Sequence, residues 1–548
     1  MTTAVRPRPV TCMTEHEHRS RAVADGVLAG RFTVAGETRE LGPDPDWLRA
    51  DLPADEEWRI EWVKFGWGLD LAHAAAETGD ERYSEAWERL TASWIRQVPP
   101  DRDAAEVTAR RVLNWIYAWQ RLAPPPVHAW SLLESLEAQV HHVWANLAPA
   151  RNHRTLELYS LLIAALALPE LDRHGLLELA VTELGANLAS DFHPDGVHRE
   201  ASTHYHLIAL RSFVGARENA RRHGIELPPG YDERLARACA FAAHCTRPDG
   251  TIPALSDADT GDYGPLLRQA GELLGTGGRP LTERSPSFPD GGYHVQRSGW
   301  DRAARFLIFD CGPLGDGGHG HYDLLSFEAH GGGVPLVLDP GRGSYSEAAA
   351  PGSTTVERHR SGRPPNLRRW FRSTAAHNTV TVDGLDQTPY TRGRPRGPVA
   401  QGRLLFRRRA PGLDVLAGEA VSPAYEAVHQ RRIAFVRDRY WVVEDRLRGE
   451  REHRYDLRFH LAPGDARVEG RAVSARGLAL VVLGGGEPVL EQGWIAPRYG
   501  ELHEAPVVRA TARGRGARFV SVLVPGTDVP DVRVEGARVH VDGEAIAL

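Results

Sequence analysis

The chain has 548 residues, 42% hydrophobic and 25% charged, with a formal net charge of −6. That balance excludes intrinsic disorder and fibrous repeats and offers nucleic acid no bulk attraction, while the length predicts two or three domains. Lys64 is the only lysine among 66 basic residues, a bias we attribute chiefly to codon usage; it leaves an arginine surface able to grip carboxylates in bidentate fashion.

Residues 1–44 read as an N-terminal extension. The run from Met1 has no apolar core of a secretory signal, so a cytoplasmic protein is expected, or a periplasmic or secreted one if the start site is misassigned. Cys12, Cys239, Cys245 and Cys311 are scattered and form neither a disulfide framework nor a C-x-x-C zinc pair. From 45 to 284 the pattern is helical. Trp58, Trp62, Phe65 and Leu69 recur at three- and four-residue steps, as do Val112, Trp115, Ile116 and Trp119. Breakers such as Pro99-Pro100, Pro124 to Pro126 and Pro228-Pro229 end the segments. Ten of the 14 tryptophans fall between Trp47 and Trp144, and most are expected in the core. Successive helices without strands between them predict helical hairpins stacked into an arc or toroid. The longest apolar stretch, Leu156 to Leu168, is too short for a membrane span and carries Glu157. Just before it, Asn152 and His153 read as a helix cap or as surface. Further on, Asp195-Gly196 marks a turn, followed by what reads as the first turns of a helix with Tyr205 between His204 and His206.

After a boundary near Ser285 to Pro289, short runs bounded by Gly, Pro and Asp predict antiparallel β structure over 285–548. Phe306 to Phe309, Val334 to Leu338, Thr379 to Val382, Tyr440 to Val443, and the pair Val532 to Glu535 and Arg538 to Val541 are the clearest. Glu347 to Leu367 reads as an irregular excursion. Within Gly315 to Asp323, a strand would point His319, His321 and Asp323 to one face. Three His-x-His pairs occur where roughly one is expected by chance, so the Gly-rich setting carries this reading more than the pair does. Asp339 ends an apolar run and His377 precedes another. Two His and one Asp can furnish three zinc ligands, and they can equally be a turn and a satisfied hydrogen bond.

Taken in order, Asn152-His153, Glu200 with Tyr205-His206, Gly318-His319-Gly320-His321-Tyr322-Asp323, Asp339-Pro340-Gly341 and His377-Asn378-Thr379 resemble the heparinase II/III and alginate lyase superfamily of polysaccharide lyases, over most of the chain. The resemblance implies an α+β multidomain fold, an incomplete (α/α) toroid followed by an antiparallel β-sandwich. It implies β-elimination at a uronic acid of an acidic poly- or oligosaccharide. In that scheme Asn152 and His153 neutralise the carboxylate, Tyr205 is the acid to the leaving O4 and in one geometry also the base, and His319 is the base for the opposite C5 configuration. His321, Asp339 and His377 hold a structural zinc ion, and Glu200 has no assigned role. Arg154, Arg297, Arg342 and Arg372 are candidates for binding further acidic groups. No nucleic acid or membrane partner is expected, and the sequence leaves room for a homodimer. The family usually works outside the cytoplasm with a signal peptide, which this reading lacks. Rival classes are a non-catalytic uronate-binding protein, a toroid glycoside hydrolase using carboxylates among Asp195, Glu200 and Asp257, and a cupin-like metalloenzyme built on His319, His321 and Glu328.

Overall fold

Apolar residues at helical spacing fold as helices from Arg21 onward. The computed structural model describes residues 6–49, 56–124, 126–172, 175–276, 282–345, 366–391 and 393–548. The chain divides into two compact units. One comprises Met1–Phe192, Ile208–Ala236 and Gln269–Gly277; the other comprises His193–Leu207, Arg237–Arg268 and Gly278–Leu548.

In the first unit, helices Trp67–Thr78, Ala105–Trp119 and Arg151–Ala167 pack successively on one another, while Glu81–Gln97 packs on Ala129–Ala145. This alternation makes two rows of antiparallel hairpins. Ala105–Trp119 and Arg151–Ala167 are buried on nearly every face, because the first row is covered by its neighbours on all sides. Asp80 caps Glu81–Gln97 by accepting from the Arg82 N–H at 3.1 Å, and Gly79 ends the preceding helix with φ 70°. The tryptophans are core, as their spacing predicts: Trp47 stacks on Trp62 at 4.5 Å and Trp94 packs edge-on against Trp47. Of the ten between Trp47 and Trp144, Trp130 and Trp144 are the exposed exceptions at 56% and 37%. Among the described residues no helix is long and apolar enough to cross a membrane.

The second unit is built on two antiparallel sheets. Ser287–Phe288, Tyr293–Arg297, Phe306–Asp310, Phe327–Gly331 and Val334–Val337 form a meander in chain order. The larger sheet has ten strands and centres on the long pair Tyr440–His460 and His503–Pro525. Leu307, Phe309, Phe327 and Leu336 of the meander pack with Leu416, Ile433, Trp441 and Phe459 of the larger sheet in one core. These residues alternate along their strands, so each sheet buries one face in a sandwich. Val442, Val520 and Val522 on the opposite face pack with Val539, Val541 and Ile546 of a three-stranded C-terminal sheet. The strands expected near Phe306, Val334, Thr379, Tyr440, Val532 and Arg538 are all present. Of the excursion expected at Glu347 to Leu367, residues 347–365 lie outside the described residues, and helix Leu367–Arg372 begins at its end.

Burial in the second unit also sets its response to acid. His206, His244 and His294 are buried, and burial lowers each ring to about 4. In the unfolded chain these rings titrate near ~6.5, so that state binds more protons below this pH. Their neutral rings therefore cost nothing above pH ~6.5 and destabilise the fold progressively as pH falls toward 4. Thermal unfolding followed by circular dichroism should show a midpoint that drops steeply across this window. A flat midpoint there would contradict neutral, buried rings.

Candidate active site

The Gly-rich segment around His319 is a loop, not the strand its alternation predicts. Gly317 and Gly318 have φ of 87° and 85°, a left-handed backbone that no strand can adopt. The loop is instead pinned by single backbone bonds: the Asp316 N–H to the Arg199 carbonyl at 2.8 Å, the Asp257 N–H to the His319 carbonyl at 3.1 Å and the Tyr322 N–H to the Arg372 carbonyl at 3.0 Å. The two histidines still converge, because both rings reach Asp257. His319 Nδ1 lies 3.2 Å from Asp257 Oδ2, and His321 Nε2 lies 2.9 Å from Oδ1. Arg368 donates to the same Oδ1 and, at 3.3 Å, to the Gly318 carbonyl. Burial works against a charge on Asp257, yet Arg368 and the two histidines hold its carboxyl well below the usual range.

Tyr205 stacks on the other face of this group. Its ring lies 3.7 Å from that of His319, centre to centre, at 22°. The helix carrying it begins at Thr203, later than the sequence pattern predicts, so Glu200 precedes it in a turn. Glu200 Oε2 lies 3.5 Å from His319 Nε2. The Tyr205 and Tyr345 hydroxyls are 2.7 Å apart, and Arg342 donates to Tyr345 at 2.6 Å while gripping Asp259 at 2.8 and 2.6 Å. Burial and the neighbouring Tyr345 push the Tyr205 phenol well above its usual range, and burial pushes Tyr345 up to about 12. Both are proton donors at neutral pH. The site can therefore supply an imidazole that keeps 19% of its side-chain surface exposed, and a protonated phenol stacked against it.

Behind His319, the ligand atoms of His321, Asp323 and His377 lie within 4.8 Å of one another, all buried. His321 Nδ1 has no hydrogen-bond partner, a costly arrangement in an interior. Asp339, expected as a ligand, accepts from His377 Nδ1 at 2.9 Å, and Asp323 stands in the three-residue group instead. Burial raises Asp323 to about 6; it disfavours charge on His377 too, yet Asp339 and Asp323 lift that ring to about 9. His377 Nε2 lies 3.0 Å from the Phe371 carbonyl, so this ring must give up that bond and its extra proton to bind a metal; with that exchange, His321, Asp323 and His377 are a donor set that fits a divalent cation.

Asn152 and His153 lie in the first turn of helix Arg151–Ala167 in the helical unit, Asn152 buried and His153 exposed. The helix starts earlier than expected, so neither residue caps it; Ala150 holds the cap position. Of the four candidate arginines, Arg154 pairs with Glu183 at 2.7 Å, Arg297 donates to the His244 and Thr246 carbonyls, and Arg372 is fully buried. Only Arg342 reaches the Tyr205 group. Asp257 figured in the sequence only as a hydrolase carboxylate, while Asp259, Tyr345 and Arg368 went unmarked. Spacing carries no signal for them, since they come from separate loops and a short helix. Of the residues named for the rival readings, Asp195 accepts the Asp290 and Gly291 N–H groups and Glu328 is held bidentate by Arg247, whereas Glu200 and Asp257 stay beside His319.

A profile described as Heparinase II/III N-terminus matches residues 6–274, and one described as Heparinase II/III-like, C-terminal, matches residues 280–532. The chain belongs to the heparinase II/III-like family. It is 24% identical over 446 residues to a heparin-sulfate lyase of Pedobacter heparinus, covering 75% of this chain and 63% of that protein. The chain thus aligns with less than two thirds of that relative's length. A heparin-sulfate lyase of Bacteroides stercoris is 25% identical over 475 residues, covering 77% of this chain and 67% of its own. A crystal structure of heparinase III superposes with a TM-score of 0.81 at 18% identity, covering 100% of this chain and 93% of that one. That likeness establishes the fold, an (α/α) toroid followed by an antiparallel β-sandwich.

Three non-glycine residues beside the candidate groups have left-handed backbones: Arg151 (φ 73°), Ala201 (φ 50°) and Ser256 (φ 62°). Each adjoins a residue discussed above, namely Asn152, Glu200 or Asp257. Such conformations cost side-chain-bearing residues about 1–3 kcal/mol and persist where surrounding contacts impose them. Glycine removes that penalty. Ala201→Gly and Ser256→Gly should therefore leave stability unchanged or raise it by up to about 1 kcal/mol in urea unfolding, where glycine normally costs about as much. A loss above 1 kcal/mol for both would show that the strain is relieved elsewhere.

Proposed function

We propose that the protein is a polysaccharide lyase that cleaves uronic-acid glycans by β-elimination. The observation that carries this reading is the stacked pair of a protonated phenol, Tyr205, and a partly exposed imidazole, His319, in one site. His319 Nε2 takes the C5 proton of the uronate. The C4–O4 bond breaks, its electrons leave with O4, and Tyr205 gives that oxygen its proton as the C4–C5 double bond forms. The imidazolium so formed is flanked by the Asp257 and Glu200 carboxylates, which stabilise it. With the other C5 configuration, Tyr205 would act from its phenolate, taking the C5 proton and returning that same proton to the leaving O4, and burial disfavours this form. Asn152 and His153 neutralise the substrate carboxylate, and Arg342 and Tyr345 hold Tyr205 in place. The relatives' names make heparan-type glycosaminoglycans the first substrate class to test, with other uronates such as alginate beside them.

We propose zinc for the buried group, held by His321, Asp323 and His377, with Asp339 orienting His377. When bound, zinc braces the loop and the following strand, and the elimination above needs nothing more from it.

Incubation with a panel of uronate polymers should produce absorbance near the ultraviolet edge from the unsaturated ends. Tyr205→Phe and His319→Ala should each lower kcat/KM about 10²–10⁴-fold on substrates that use both groups. Undiminished activity in both variants would remove this mechanism, and reducing ends without unsaturation would favour hydrolysis. Metal analysis after dialysis should find zinc in the wild type and little in His377→Ala or Asp323→Ala. Asp339→Asn should weaken zinc affinity about 10–100-fold while retaining some metal. Equal zinc in all of them would overturn this ligand set.

A further inference from the structure

We propose that Asp257 is a positioning residue whose single carboxylate sets opposite tautomers on the two histidines of His319-Gly320-His321, turning Nε2 of His319 toward substrate and Nδ1 of His321 toward a divalent cation. The first half rests on the lyase reading; the second does not.

The geometry is specific. Asp257 is fully buried, and its two oxygens are divided between the rings: Oδ2 faces His319 Nδ1 at 3.2 Å and Oδ1 faces His321 Nε2 at 2.9 Å. Arg368 also donates to Oδ1, so the carboxylate is ion-paired and acts as an acceptor only. Each ring nitrogen facing it must then carry the hydrogen. The Asp257 oxygen at 3.2 Å is nearer to His319 than Glu200 Oε2, which lies 3.5 Å from Nε2, so a neutral His319 keeps its hydrogen on Nδ1 and its lone pair on Nε2, and a neutral His321 keeps its lone pair on Nδ1. That second nitrogen is the one with no hydrogen-bond partner, on a buried ring that groups with Asp323 and His377. The exposures agree with the division of labour, since His319 keeps 19% of its side chain accessible and His321 keeps 0%.

The carboxylate cannot drift. The Asp257 N–H bonds to the His319 carbonyl at 3.1 Å and the Ser202 hydroxyl bonds to the Asp257 carbonyl at 2.9 Å. Thr203 Oγ1 donates to the Pro253 carbonyl and accepts from the Leu255 N–H at 3.2 Å. These bonds tie the loop carrying Asp257 to the start of the Tyr205 helix, so one carboxylate aligns base, acid and metal-facing imidazole together. Carboxylates that hold a metal-binding histidine by its far nitrogen are a general means of fixing ring orientation. Here the same carboxylate serves a second histidine with a different task.

The test uses the full chain labelled with ¹⁵N in its histidine rings. Two-bond ¹⁵N–¹H correlations on the wild type should show the Nδ1–H tautomer at His319 and the Nε2–H tautomer at His321. Addition of ¹¹³Cd²⁺ should produce cadmium–nitrogen coupling at Nδ1 of His321. The same tautomer on both rings, coupling through Nε2 of His321, or no coupling at His321 would overturn the proposal. Asp257→Asn should lower cadmium affinity about 10–100-fold, mix the two tautomers of each ring, and reduce kcat with KM changed less than about threefold. Retention of both wild-type tautomers and of cadmium affinity in that variant would also overturn it. If Asp257→Asn does not fold, the wild-type spectra still decide. A wild type that yields no unsaturated product while its spectra match expectation would defeat the lyase reading and leave the metal-facing half intact.

Discussion

A carboxylate without solvent contact survives as an anion only if donors surround it, and Asp257 draws its donors from every part of the candidate site. Arg368 comes from a short helix, His319 and His321 from a glycine-rich loop, and the backbone bonds of its own loop from the start of the Tyr205 helix. The cost of burying that charge is met only when all these pieces are in register. The stacking of Tyr205 on His319 and the grouping of His321 with Asp323 and His377 both follow from that register.

The same logic runs deeper into the sandwich. Arg247 holds Glu328 bidentate, Glu328 accepts the Asp339 N–H at 3.0 Å, and Asp339 in turn holds His377. Asn378 donates to the Phe327 carbonyl in one strand and to the Leu338 carbonyl just after the next, and it accepts the His460 N–H. Arg431 binds Asp445 and reaches the Leu325 and Asn378 carbonyls. These groups are buried. They add directionality, since each polar group has a place where its partners can be met. The His/Asp group is thereby delivered by the sandwich as a consequence of how its strands are joined.

Much of the fold was legible in the sequence. The helical texture and the later strands rest on apolar periodicity, and the aromatic spacing around Trp58 and Trp115 marked true core positions. Of the candidate site, Tyr205, His319, His321 and His377 stood out by local composition, and the structure gathers them into one unit. The loop around His319 was misread as a strand because alternation looks the same when glycines turn the chain between residues. Asp323 was then seen on one face with His319, whereas the loop carries it toward His377. Tyr345, Arg368 and Asp259 were invisible because their partners lie far along the chain, and a lone Tyr, Arg or Asp has no periodicity to betray it. Among 65 arginines, no local signal separates Arg342, which reaches Tyr345, from Arg154, which is spent on Glu183.

By itself the sequence determined the order of textures and the residue types available for proton transfer. These depend on local spacing and on side-chain chemistry, which a linear reading preserves. Only the tertiary structure decided which nitrogen of His319 and of His321 faces Asp257, which of two aspartates groups with His321 and His377, and which arginines serve the site. Those choices are settled by contacts between segments distant in the chain, where burial makes an unpaired charge or an unmet hydrogen bond too costly to keep.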